Sequence, residues 1–187
     1  MAAPKSPLEM ANAIIANLQK NFGKTYEEFA SEFESNGLTT KDAIKVYLKA
    51  QGLGTNQAWI VAEKHLGTFE YADEANLLGQ LFAPFPKELK ELYDSLHSEI
   101  VKQFAEVKVS YCKTYVPYSN SRQFMVIKPT KKGLEVGYCL PENTTDELLL
   151  PSKNFGGGER VKHKLIINSA SEITIALRFA QIGWENN

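Results

Sequence analysis

Apolar residues recur at helical spacing through the first third of the chain. Leu8, Ala11, Ile14, Ile15 and Leu18 repeat until Gly23, and Phe29 and Phe33 stand at i, i+4 before Gly37. That period puts one apolar face on each of two helices. Ser6-Pro7-Leu8-Glu9 and Thr25-Tyr26-Glu27-Glu28 are capping boxes at their starts, because a hydroxyl and a carboxylate three residues apart satisfy two orphan amides. Further helices are predicted from about Lys41 to Ala50 and from about Asn56 to Leu66. Helices this short persist only when packed together, so residues 1–68 read as a small helical bundle.

Residues 69–86, "FEYADEANLLGQLFAPFP", read as a connector helix ending in a linker, where Pro84 and Pro86 forbid continuation. Beyond it Leu89, Leu92, Tyr93, Leu96, Ile100 and Phe104 form an apolar stripe on a long helix. The period then falls from 3.6 to about 2. Strands are predicted over 108–116, 122–128, 134–140 and 161–167, separated by turn-rich segments such as "PYSNS" and "KKG". A final helix carries Ile173, Leu177, Ala180 and Trp184 on one side. Residues 87–187 therefore read as helix, four-stranded antiparallel meander and helix. The fold class expected is α+β, with one sheet face covered and the other open to solvent or a ligand.

Composition narrows the function classes. The chain has 187 residues, 43% of them hydrophobic, and a formal net charge of −1 with pI near 6.3. A tight nucleic-acid binder usually carries a basic pI, so any such contact here must come from local patches. No run of 18 apolar residues occurs, and the polar and charged residues near the start interrupt what a secretory signal needs as an unbroken apolar core. A cytoplasmic protein without membrane contact is expected. Cys112 and Cys139 are expected as reduced thiols on neighbouring strands.

The most specific local pattern is Gly52-Leu53-Gly54-Thr55-Asn56-Gln57-Ala58, between two predicted helices. Its G-h-G-x-x-x-A spacing resembles the helix-hairpin-helix family of sequence-independent DNA binders. Glycines admit a phosphate to the backbone, and the free amides of the following helix's first turn bond it. Lys41, Lys45 and Lys49, at i, i+4 and i+8, would form a basic stripe along the preceding helix. The competing reading is a plain helix–helix turn with Thr55 as the next N-cap.

The second signal is residues 107–132, which contain six cations and no acid. On strands, Tyr111, Lys113 and Tyr115 would share one face. Arg122, Phe124, Val126 and Lys128 would share another, with Lys131 and Lys132 at the rim. The competing reading is a solvated sheet face that resists aggregation. His163 alternates with apolar residues and is a possible ligand contact, while His65 and His97 sit on predicted helices without a partner. "NFGGGERVKHK" lacks the G-K-[ST] of a phosphate loop and reads as a loop closing over the basic face. The acidic pair Asp146-Glu147 has no matching ligand motif, so no catalytic constellation, metal or cofactor is expected.

Residues about 10–67, with "GKTYEEFASEFESNGL", "AIKVYLKAQGLG" and "VAEKHLG", resemble a short bacterial helical module of unknown function. Residues about 88–185, with "ELYDSLHSEIVKQF" and "VSYCKTYVPYSNSRQFMVIKPTKKGLEVGYCL", resemble a second such family that often follows the first. That second family is associated with proteins labelled as nucleases and is sometimes labelled transport-related; neither label implies a catalytic residue. Its K-x-Y and R-x-F fall on Lys113, Tyr115, Arg122 and Phe124, and its basic turn on Lys131 and Lys132. The chain departs from it at "FGGGERVKH", before the last strand. The expected function is non-enzymatic, weak, sequence-independent binding of nucleic-acid backbone by both modules. The alternatives are a pocket for a small anion formed by Lys113, Tyr115, Arg122 and His163, and a protein-interaction adaptor.

Overall fold

Two separate buried cores, one formed before Ala72 and one after it, divide the chain. The computed structural model describes residues 5–152, 155 and 159–187. They pack as two units, Lys5–Ala72 and Asp73–Asn187. The architecture is α+β, with eight α-helices and a six-stranded antiparallel sheet among the described residues. No helix among them is long and apolar enough to cross a membrane.

The first unit holds α1 (Pro7–Ala16), α2 (Leu18–Phe22), α3 (Tyr26–Ser35), α4 (Lys41–Ala50) and α5 (Thr55–His65). Both capping boxes form: the Ser6 hydroxyl accepts from the Glu9 amide at 3.1 Å, and the Thr25 hydroxyl from the Glu28 amide at 3.2 Å. The first apolar run is two helices where the sequence predicts one. Asn17 interrupts it, its carboxamide donating to the Ala13 carbonyl at 2.7 Å, a local bond that competes with the helix ladder. Leu18, Phe29, Phe33, Ile44, Leu48 and Val61 are fully buried and form the core of this unit. Each contributes roughly 1.5–3 kcal/mol of burial. Phe69 and Tyr71 complete the unit by packing on Trp59, with ring centroids 5.9 and 6.5 Å away.

The second unit begins with α6 (Glu74–Phe82) and α7 (Lys87–Gln103). Leu81 and Phe82 of α6 enter its core, Phe82 lying 4.9 Å from the Tyr93 ring. Six strands follow: β1 (Lys108–Val109), β2 (Val116–Ser119), β3 (Gln123–Thr130), β4 (Gly133–Tyr138), β5 (Leu150–Pro151) and β6 (His163–Ile167). Then comes α8 (Ile173–Glu185). The sheet order is β1-β2-β3-β4-β6-β5. The meander is extended by two short strands at its edges, β5 being laid down outside the place that β6 later fills.

The strand predicted over 108–116 is two strands and a turn, in which the Cys112 amide donates to the Tyr115 carbonyl at 3.1 Å. "PYSNS" is mostly strand, because burying Val116 and Tyr118 against the helices outweighs the turn preference of its proline and serines. The two cysteines are free; Cys112 lies in that turn and Cys139 just after β4, so they are not on adjacent strands. Met125, Ile127, Val136 and Tyr138 face α7 and α8 across the main core. Val126, Cys139, Phe155 and Val161, with Tyr115 beside them, make a smaller cluster. Val126 and Gly137 are cross-strand partners between residues of the main core, so this cluster lies on the far face. The face expected to be open is thus partly covered.

Candidate functional site

The hairpin between α4 and α5 is built by its glycines. Gly52 has φ +93°, a conformation in which an L side chain is strained. Leu53, 3% exposed, pins the turn into the core, and its amide donates to the Leu48 carbonyl at 3.1 Å. Gly54, not Thr55, is the N-cap of α5, and its own amide donates to Gln57 Oε1 at 2.9 Å. A glycine has no oxygen to cap the helix, so no side-chain cap bond covers the first-turn amides, and Thr55 and Asn56 are exposed. The positive end of α5 is left available to an anion. Ala58 is fully buried where α5 packs against the core.

The basic stripe along α4 is weaker than its spacing implies. Lys41 is ion-paired with the buried Glu63 of α5, and Lys45 lies 3.0 Å from Asp42 Oδ1. Lys49 is exposed in the last turn of α4, beside the hairpin, whereas Lys41 lies roughly 12 Å back along the helix. Glycine flexibility and Lys49 therefore coincide, while the other two lysines serve local ion pairs.

In the second unit the cations of 107–132 do not share one surface. Arg122 stands at the β2–β3 turn, and Lys131 and Lys132 at the β3–β4 turn. The length of β3 holds these turns roughly 27 Å apart. Lys113 is exposed in the β1–β2 turn, and the register of β2 on β3 brings that turn toward Lys128 and the β3–β4 end. Lys108 lies opposite Ser119, toward Arg122. Phe124 is fully buried between Phe104 and Trp184, at 5.5 and 5.3 Å. Expected as a stacking platform, it is a core residue, because the start of β3 is covered by Phe104, just after α7, and by α8. Lys128 pairs across the strands with Glu135, which is ion-paired with Lys164 at 3.1 Å. Acid enters the patch from a neighbouring strand.

His163 lies on the other side of the sheet. It pairs with Tyr138, whereas Lys128 is in register with Glu135 and Ile166; positions 163 and 166 differ by an odd number, so their side chains leave opposite faces. Tyr115 packs with Val126, away from the His163 face. Lys113, Tyr115, Arg122 and His163 therefore do not converge on one pocket. The His163 Nδ1 is buried and without a hydrogen-bond partner among the described residues. The expected closure of the triple-glycine loop falls on 153–158, of which only Phe155 lies within the described residues.

The polar cluster that the sequence reading missed joins α7 to the sheet. His97 Nδ1 lies 2.9 Å from the Tyr118 hydroxyl, which donates to the Tyr93 hydroxyl at 3.3 Å; the Tyr93 and His97 rings stack at 5.7 Å. Burial drives the Tyr93 and Tyr118 phenols well above their ordinary range and pushes the His97 imidazole down. His65, also expected to be alone, packs edge-on against Phe33 at 5.0 Å. An i, i+4 relationship between Tyr93 and His97 was the visible signal, but Tyr118 is 21 positions away.

Residues 79–180, more than half of the chain, match the domain of unknown function DUF5655. The chain belongs to this family. No curated protein and no solved structure matches it. The DUF5655 span contains the His97 cluster and the Lys113, Arg122, Lys128, Lys131, Lys132 and His163 positions, whereas the Gly52–Gly54 hairpin lies before it.

Proposed function

We propose that the protein is a non-enzymatic cytoplasmic binder of nucleic-acid backbone, contacting phosphate chiefly through the Gly52–Gly54 hairpin. The supporting observation is the first turn of α5, whose amides have no side-chain cap because the N-cap is Gly54. Lys49 beside the turn adds an exposed positive charge, and the resemblance of residues 10–67 to a short helical module agrees with a separate binding unit. Lys131 and Lys132 at the β3–β4 tip are the second point of contact in this reading. Binding is weak and sequence-independent, since phosphate contacts carry no base information.

Fluorescence anisotropy with single- and double-stranded DNA at low and high salt tests this. Wild-type protein binds at low salt and loses affinity steeply as salt rises. Gly54→Asp is the diagnostic variant, because aspartate caps the same amides and repels phosphate while favouring the helix. Gly54 has an ordinary φ of −66°, and an added Cβ meets only Gln57 Oε1, at 3.4 Å. The variant is expected to keep its thermal midpoint and lose DNA. Absence of binding at low salt, or unchanged binding by the variant, overturns the proposal.

A further inference from the structure

The first unit contains a cavity of ≈ 230 Å³ between α1, the end of α5 and the segment that follows it. Its walls are apolar, with Ala11, Ile15, Ile60 and Phe69 among them, and its polar side chains are Asn12 and Lys64. No acid lines it. Ala11 and Ile60 are almost fully buried, at 4% each, so the floor belongs to the folded core. Lys64 is exposed, and its ammonium rests 4.9 Å from the centre of the Tyr26 ring. Asn12 is likewise exposed on α1.

We propose that this cavity binds a small amphiphilic anion, specifically a medium-chain carboxylate, with the chain against the apolar walls and the carboxylate toward Lys64 and the Asn12 carboxamide. An apolar cavity of about 150 Å³ is enough for benzene, so the volume here suits a chain of several carbons but not a bulky polycyclic ligand. Ligand sites characteristically combine apolar walls with a few convergent polar groups. The sign of the charge selects the class. A cation at the rim of a cavity whose lining, among the described residues, includes no acid favours an anionic head group and disfavours an ammonium one.

The test uses the full-length protein and three eight-carbon probes: octanoate, 1-octanol and octylammonium. Calorimetry is expected to give octanoate about a fivefold advantage over octylammonium, the size of one partly exposed ion pair. Lys64→Gln is expected to abolish that preference while retaining 1-octanol binding. Amide NMR shifts on octanoate addition should centre on Asn12, Lys64, Gly67 and Ala72. Ala72→Phe, placing a ring at an exposed wall position, should weaken all three probes, with circular dichroism confirming the fold. Equal affinity for octanoate and octylammonium, no octanoate binding, or shifts centred elsewhere would overturn the proposal. Should Ala72→Phe fail to fold, the Lys64→Gln comparison and the shift map still decide it.

Discussion

The Tyr118 hydroxyl donates to the Tyr93 hydroxyl, so the His97 Nδ1 beside it, 2.9 Å away, must supply a hydrogen to the Tyr118 oxygen. This arrangement suits a neutral imidazole with its proton on Nδ1. Desolvation is the largest influence on His97 and lowers its pKa below the usual 6.5; Lys90 lowers it further, and Asp94 opposes. The other ionisable groups of the cluster are Tyr93, Tyr118 and Tyr111, the last feeling Glu74 from α6.

The sign of the pH dependence follows from that depression. The unfolded chain binds a proton on this residue more readily than the folded one, so the stabilising contribution is complete above about pH 6.5 and is lost as pH falls through the folded value. Urea midpoints between pH 7.5 and 5 should decline in the wild type and decline less in His97→Gln, whose carboxamide can still donate to Tyr118. Parallel curves for the two proteins would refute a role for His97 in this window.

Lys41 and Glu63 make a second testable pair. Glu63 is 3% exposed and its carboxylate meets the Lys41 ammonium, joining the start of α4 to the last turn of α5. Lys41→Met leaves a buried carboxylate without its cation, at a cost of about 2–4 kcal/mol in unfolding free energy. Adding Glu63→Gln should restore much of that loss, since the orphaned charge is gone. A Lys41→Met variant as stable as wild type would show the pair to be dispensable for folding.

What was legible in the sequence was local. Ser6 with Glu9, and Thr25 with Glu28, announced helix starts because both partners lie within one turn. The stripe from Leu92 to Ile100 likewise marked α7 by its own period. The β1–β2 turn was missed because Cys112-Lys113-Thr114-Tyr115 has no glycine, proline or asparagine, whereas the stretch after it has the residues of a turn and folds as a strand. The candidate surface failed for a related reason. Glu63 reaches Lys41 from another helix and Glu135 comes into register with Lys128 from another strand, pairings that spacing along one element does not encode.

The cysteines should differ in reactivity. Burial raises both thiol pKa values, so neither is expected to react fast at neutral pH. Cys112 sits half-buried in a turn, while Cys139 is 4% exposed against Val126 and Phe155. A chromogenic thiol reagent should therefore modify Cys112 first and Cys139 only on denaturation. Cys112→Ser should remove the early phase and leave the late one; an early phase that survives this change would mean that Cys139 is accessible.

Gly133 closes the two-residue turn that carries Lys131 and Lys132, and it pairs with Thr130 at the start of β4. Its φ is +125°, and a Cβ there would lie 2.3 Å from Asn168 Oδ1 and 2.7 Å from the Ile167 carbonyl oxygen. Asn168 could rotate away, but the carbonyl belongs to the backbone just where β6 pairs with β4, so the hairpin itself must shift. Gly133→Ala combines a conformation that L residues avoid with this overlap, and should cost about 2–4 kcal/mol. Chemical denaturation monitored at Trp184, which packs on Phe104 and Phe124 in the same core, gives the measurement. A loss below about 0.5 kcal/mol would mean that the β4–β6 edge relaxes freely around position 133, and that the tip presenting Lys131 and Lys132 is not rigidly held.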